Sequence, residues 1–165
     1  MLEIREAGTQ HIDTIRELAF AIWPDAYASI LSPAQLSYML ELIYSKEALA
    51  KQIDAGHQFI LVYDNNTAVG FASYSAKNTT NPTIYRLQKL YVRTDQQGKG
   101  TGKFLLEHVI EQTKKAGASI LELNVNRHNK AFHFYSKMGF VVSKEEDVDI
   151  GQGYFMNDYV MELKL

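Results

Sequence analysis

The hydrophobic pattern changes period about a third of the way along the chain. Leu2, Ile4 and Glu6 alternate with polar neighbours, which predicts a short first strand. From about Gln10 to Trp23 the apolar set Ile12, Ile15, Leu18, Ala19 and Ile22 recurs at helical spacing, and Pro24 predicts its stop. Ser32-Pro33 supplies an N-cap and a first helical position for a second helix carrying Leu36, Met39, Leu40 and Ile43. Ser45-Lys46-Glu47 opens a third, short helix that ends near Gly56.

The remainder alternates strands and helices. Phe59 to Tyr63 predicts a buried strand, Asp64-Asn65-Asn66 a turn, and Ala68 to Ser75 its hairpin partner. A polar loop, Asn78-Thr79-Thr80-Asn81-Pro82, precedes a strand from Ile84 to Val92. Gly100 to Lys115 then reads as a helix with Leu105, Leu106, Val109 and Ile110 on one side, followed by a strand through Leu121, Leu123 and Val125. A helix from about Asn129 to Met138 ends at Gly139, and Phe140 to Val142 and Tyr159 to Leu163 form the last two strands. The order β-α-α-α-β-β-β-α-β-α-β-β predicts an α/β (α+β) mixed-sheet layer structure. Without repeats or linkers it is one domain, residues 1–165.

Composition narrows the class. The 165 residues are 46% hydrophobic and 22% charged, the balance of a globular chain that can bury a core without staples. A net charge of -2 argues against a nucleic-acid binder that relies on a large positive field. With no cysteine there is no disulfide, no thiolate metal site and no cysteinyl-acyl intermediate, which suits a reducing compartment. The acidic opening Met1-Leu2-Glu3-Ile4-Arg5-Glu6 is unlike a signal peptide, and no run of 18 apolar residues occurs. The expectation is a soluble cytoplasmic domain with no membrane or nucleic-acid partner, monomeric or homodimeric. The five histidines form no metal-ligand spacing, so no metal is expected.

The strongest local signal is Gln97-Gly98-Lys99-Gly100-Thr101-Gly102-Lys103, between a strand and a helix. Alternate glycines remove the Cβ atoms that keep an anion from the main chain, and the helix start offers unpaired amides. Together they make a phosphate or pyrophosphate site, with Lys99 and Lys103 as added charge. Gln97 and Phe104 occupy positions where a P-loop needs Gly and Ser/Thr, so that loop fails. Lys103 stands where a dinucleotide fingerprint needs Gly or Ala, although Glu122 lies about 20 residues on, so that reading is weakened.

In the preceding strand Leu87 has one parity, while Leu90 and Val92 have the other. Either a β-bulge near Gln88-Lys89 shifts the register, leaving amides free for a ligand, or the strand is buried on both faces.

The segment Asn126-Arg127-His128-Asn129 through Phe134-Tyr135-Ser136-Lys137-Met138-Gly139-Phe140, taken with Gln97-x-x-Gly100-x-Gly102, resembles the GNAT superfamily of N-acetyltransferases. The resemblance covers nearly the whole chain and implies the GNAT acyl-CoA N-acyltransferase fold, a mostly antiparallel sheet of about seven strands flanked by helices. It implies acetyl-CoA as co-substrate. Amides of Gln97, Gly98, Lys99, Gly100, Thr101 and Gly102 would then hold the pyrophosphate, and Leu90, Tyr91 and Val92 would pair with the pantetheine arm. Asn129 and Lys137 would contact the coenzyme, and Tyr135 would protonate the departing thiolate.

Without a cysteine, direct transfer is favoured over a cysteinyl intermediate. Many members of the superfamily carry a Glu as base on the strand ahead of the loop. Gln88 stands in that place here and cannot titrate. An alkylamine of pKa about 10.4 is neutral in about one molecule in 2,500 at pH 7, so its proton still needs a route.

Trp23, Tyr27 and Tyr38, with Gln88, are the candidates for contact with the acceptor, since aromatic faces suit a cationic amine. The run Glu145, Glu146, Asp147 and Asp149 reads as a solvated hairpin loop. The layout Trp23-Pro24…Tyr27…Leu31-Ser32-Pro33 looks like the polyamine-acetylating branch, which makes a small primary amine, such as a polyamine, the expected acceptor. The alternatives are acetylation of a protein or peptide N-terminus, or an acyl-CoA-binding sensor without catalysis, which Gln88 motivates.

Overall fold

The computed structural model describes residues 1–78, 80 and 82–165, so Thr79 and Asn81 of the polar loop lie outside the described residues. The strands are β1 (Leu2–Ala7), β2 (Gln58–Asp64), β3 (Thr67–Ala76), β4 (Ile84–Val92), β5 (Ile120–Asn126), β6 (Val141–Gly151) and β7 (Tyr154–Lys164). The helices are α1 (Ile12–Tyr27), α2 (Pro33–Tyr44), α3 (Lys46–Asp54), α4 (Thr101–Lys115) and α5 (Ala131–Lys137). One seven-stranded sheet runs β1-β2-β3-β4-β5-β7-β6, and only the β4–β5 pair is parallel.

Period-two alternation in the sheet creates two cores. Phe59, Leu61 and Phe71 face the layer of α1, α2 and α3. Ile60, Val62, Ala72, Leu121, Leu123 and Val125 face α4 and α5, packing on Leu105, Leu106, Val109 and Tyr135. Ser32 and Ser45 cap α2 and α3, each hydroxyl accepting from the amide three residues on.

Two expectations are corrected. Pro24 does not stop the first helix; α1 continues to Tyr27 with Pro24 inside it. The helical turn around it buries Trp23 and Tyr27, whose ring centroids lie 4.6 Å apart. Two such side chains at about 1.5–3 kcal/mol each outweigh the roughly 3 kcal/mol that an interior proline costs. The acidic run is not a loop either. Glu145 to Asp149 lies within β6, which is far longer than the expected Phe140 to Val142. Here β6 is the outer strand beside β7, with Glu145, Asp147 and Asp149 exposed and Glu146, Val148 and Ile150 half-buried between them. Charge at a sheet edge is tolerated and discourages pairing with another chain.

The break of parity in β4 is a bulge. Ser73 pairs with Lys89 and Tyr74 with Leu87, so Gln88 has no opposite number on β3. The extra residue brings Leu87, Leu90 and Val92 onto the α4–α5 face, and Lys89 and Tyr91 onto the α1–α3 face. From the same point β4 leaves its other neighbour. Its pairing with β5 extends from Ile84–Ile120 to Leu87–Leu123 and goes no further.

Candidate active site

Parting the central strands opens a gap through the sheet, and a cleft of about 1040 Å³ passes through it. On the α4–α5 side its wall is the glycine-rich segment. The loop turns by left-handed residues, Gly98 at φ +81° and Gly100 at φ +79°, where a Cβ would meet no protein atom within 4 Å. These positions are open towards the cleft and are strained for any other residue. The first helical bond of α4 runs from Phe104 N to Gly100 O, so the amides of Thr101, Gly102 and Lys103 precede the ladder. Thr101 is buried, its hydroxyl 3.4 Å from Gln96 Oε1, which fixes the helix start against the preceding turn.

The opposite wall on this side comes from the turn into α5. Asn126 Oδ1 accepts from His128 N and Asn129 Oδ1 from Ala131 N, both at 2.9 Å, and these side-chain turns set the entry to the short helix. Tyr135 follows one turn later, buried and lining the cleft between Phe134 and Phe140. Burial raises its phenol pKa, and the neighbouring Tyr27 adds to the rise. A proton held this firmly is surrendered only to a strong base placed close by.

On the α1–α3 side the cleft is aromatic and charged. The hydroxyls of Tyr27 and Tyr91 are hydrogen-bonded at 2.8 Å, with Trp23 packed on both rings. Burial lifts both phenols, that of Tyr91 well above its ordinary range. Lys89 is 9% exposed; its Nζ donates to Gln52 Oε1 at 2.6 Å and lies over the rings of Tyr44 and Phe59. No carboxylate pairs with it among the described residues, and desolvation pushes its pKa down to about 8. Across the gap Asp158 of β7 is 6% exposed. Asn124 donates to its Oδ2 at 3.2 Å, while Oδ1 is buried with no hydrogen bond among the described residues. Desolvation raises its pKa, with Glu146 adding to the rise against Asn124, Arg127 and Arg86.

The cleft brings together Trp23, Tyr27, Gln88, Leu90, Tyr91, Val92, Gln97, Gly98, Gly100, Thr101, Gly102, Lys103, Asn129 and Tyr135. Lys99, Lys137 and Tyr38 lie outside its lining. Tyr38 instead donates to the carbonyl of Ile150 at 2.7 Å, tying α2 to the β6–β7 hairpin. Gln88 Nε2 donates to Ser75 Oγ at 3.1 Å. Glu122, which a dinucleotide site would turn to a ribose, is 3% exposed and paired with Lys77 and Arg86. Sequence reasoning missed Lys89 and Asp158. A charged residue at an inward strand position was the available signal, and it needed the bulge and the β7 register to be read. Among the described residues no group of three or more His, Asp or Glu side chains could hold a metal ion, and no helix is long and apolar enough to cross a membrane.

The family model described as an acetyltransferase (GNAT) domain matches residues 28–163. The chain belongs to the GNAT acetyltransferases. A spermidine N(1)-acetyltransferase of Thermoplasma acidophilum is 31% identical, over 99% of this chain and 97% of that one. A peptidyl-lysine N-acetyltransferase of Salmonella typhimurium is 32% identical over 84% of this chain and 86% of that one. Among solved structures, the PaiA N-acetyltransferase of Thermoplasma acidophilum in complex with coenzyme A superposes with a TM-score of 0.84 at 29% identity, covering 100% of this chain and 99% of that one. This GNAT protein is therefore an acetyl-CoA-dependent N-acetyltransferase with acetyl-CoA as co-substrate. The expected mostly antiparallel seven-stranded sheet is the one observed.

Proposed function

We propose that this enzyme transfers the acetyl group of acetyl-CoA directly to a primary amine of a polyamine such as spermidine. The observation that carries the reading is the cleft through the parted strands, which links the glycine loop on one face of the sheet to an aromatic and charged chamber on the other. The acceptor class is supported by the spermidine N(1)-acetyltransferase that matches along nearly the full chain.

In this reading the amides of Gly98, Gly100, Thr101 and Gly102 hold the pyrophosphate, those of Gln97 and Lys99 being bonded to the carbonyls of Thr94 and Gln96, with Lys103 adding charge. Beyond Leu87 the main chain of Leu90, Tyr91 and Val92 faces the gap instead of β5 and pairs with the pantetheine arm. Asn129 contacts the coenzyme from the α5 side. Tyr135 protonates the departing thiolate, since a phenol donates usefully once the leaving sulfur is basic and water is excluded. The main chain at the bulge, where Gln88 has no partner on β3, is where a fixed amide donor for the oxyanion would come from. Trp23 and Tyr27 present ring faces to the incoming cation.

The test is release of CoA from acetyl-CoA in the presence of spermidine, spermine, amino acids, aminoglycosides, and peptides bearing a lysine or a free N-terminus. Amine-dependent release that is fastest with polyamines is expected. The peptidyl-lysine N-acetyltransferase relative favours a second reading, in which the peptides are turned over and the polyamines are inert. Acetyl-CoA binding with no release by any amine would make the chain a sensor.

A further inference from the structure

The amine must lose a proton before it attacks, and Gln88 cannot take it. We infer that Asp158 of β7 is the catalytic base, its Oδ1 receiving the acceptor's ammonium and removing its proton. The inference rests on the acetyl-transfer reading above and gives that site the group it lacks.

Three observations point to this carboxylate. It lines the cleft while being 6% exposed, so water does not neutralise its charge there. Its two oxygens are treated differently: Asn124 holds Oδ2 at 3.2 Å, while Oδ1 is buried without a hydrogen bond among the described residues. A buried carboxylate oxygen left unpaired costs about 1–3 kcal/mol, and more when charged, unless a ligand donor satisfies it. An ammonium is such a donor. The place is also right in charge and in position. Asp158 shares the α1–α3 face with Tyr27, close enough that its charge raises the Tyr27 phenol, and Tyr27 in turn raises Tyr135. The base and the proposed acid thus flank the gap from opposite faces. Asp25 also lines the cleft, but it is exposed and pairs with Thr94 at 3.4 Å.

The ammonium gives one proton to Asp158 Oδ1, and the free amine attacks the thioester carbon, forming the C–N bond. As the C–S bond breaks, Tyr135 protonates the thiolate, and the nitrogen's second proton restores the phenol. Asp158 then releases its proton to solvent, for a net yield of amide, CoA and one proton. The charged and titratable groups facing Asp158 are Tyr27 from α1, Arg86 from β4, Arg127 after β5 and Glu146 from β6. Burial dominates among these influences and raises its pKa, which leaves it a better proton acceptor than an exposed aspartate.

Asp158→Asn keeps the shape and an oxygen for Asn124. It is expected to lower kcat/KM for the amine about 10²–10³-fold, with KM for acetyl-CoA unchanged. The plateau of the kcat/KM profile above the aspartate's ionisation should vanish, leaving a rate that rises tenfold per pH unit up to the amine's own pKa as free amine accumulates. Spermidine binding to the CoA complex should weaken at least tenfold by calorimetry. An Asp158→Asn enzyme with wild-type turnover and a kcat/KM profile that still levels off where the wild type does overturns the inference. Should that variant lose acetyl-CoA binding and so fail to fold, the wild type decides. Its spermidine affinity must fall as pH drops through one ionisation, and a pH-independent affinity overturns the role. A wild type inert towards every amine overturns the acetyl-transfer reading itself, a result distinct from an active enzyme indifferent to residue 158.

Discussion

The two mouths of the cleft are built by different means. Towards α4 and α5 the wall is largely main chain: a loop of left-handed glycines, a helix start with unpaired amides, and a β4 edge freed by the parting from β5. Towards α1–α3 it is side chain: Tyr27, Lys89, Tyr91 and Asp158, drawn from a helix and two strands well apart in sequence. A main-chain wall reads a ligand feature that never varies, here the proposed phosphate and pantetheine of the coenzyme. A side-chain wall reads the partner that differs between relatives, and one substitution changes it. Tyr135 stands where the two meet, on the first side but close enough to Tyr27 to sense its charge.

The largest expected effect tests that junction. Tyr135→Phe keeps the ring packing against Phe134 and Phe140 and removes only the hydroxyl. If the phenol is the acid, kcat falls about 10²–10⁴-fold while KM for acetyl-CoA and for the amine stay within a factor of two. Stopped-flow release of CoA would register this as a slowed chemical step. Unchanged kcat would assign Tyr135 to packing and leave the thiolate to water.

The same division explains what was legible in the sequence. The glycine loop and the Asn129-to-Phe140 segment are local patterns, so residue type and spacing within a few turns suffice to read them. The parity break in β4 was legible too, and its two readings separated once Ser73–Lys89 and Tyr74–Leu87 were seen to skip Gln88. Asp158 and Lys89 were illegible for a physical reason. Each is an ordinary charged residue in its own strand, and only the order β4-β5-β7 turns both to one face around a gap. Pro24 and the acidic run failed differently, because tertiary burial of Trp23 and Tyr27 and pairing of β6 with β7 overrode local propensity.

An intermediate effect tests the main-chain wall alone. Gly100→Ala places a methyl where no protein atom lies within 4 Å, at a backbone angle that costs a non-glycine residue about 1–3 kcal/mol. The methyl points into space proposed for the coenzyme phosphates. KM for acetyl-CoA is expected to rise about tenfold, near 1.4 kcal/mol, with KM for the amine unchanged. A rise in the amine KM of equal size would mean that the two walls are not independent.

The smallest effect concerns the side-chain wall and is a gain in stability. Lys89 is buried with one neutral partner, Gln52, and its pKa is held down to about 8 from 10.5. The unfolded lysine therefore binds more protons between about pH 8 and 10.5, and stability rises with pH across that window. Below about pH 8 both states are protonated and the full desolvation penalty is present, of order 3 kcal/mol at most. Lys89→Met removes the charge at similar length but strands Gln52 Oε1, so a net gain of about 1–2 kcal/mol at pH 7 is expected. That corresponds to roughly 2–8 °C in Tm for a domain of this size, and the rise in Tm from pH 8 to 10 should flatten in the variant. The charge comparison predicts the kinetic sign as well. The charge of Lys89 in the lining of the same cleft disfavours a second positive charge there, so the variant's KM for spermidine should fall by about two- to fivefold, near 0.4–1 kcal/mol. A raised KM instead would show that the ammonium of Lys89 attracts part of the acceptor, and would move the proposed acceptor class towards amines carrying a carboxylate.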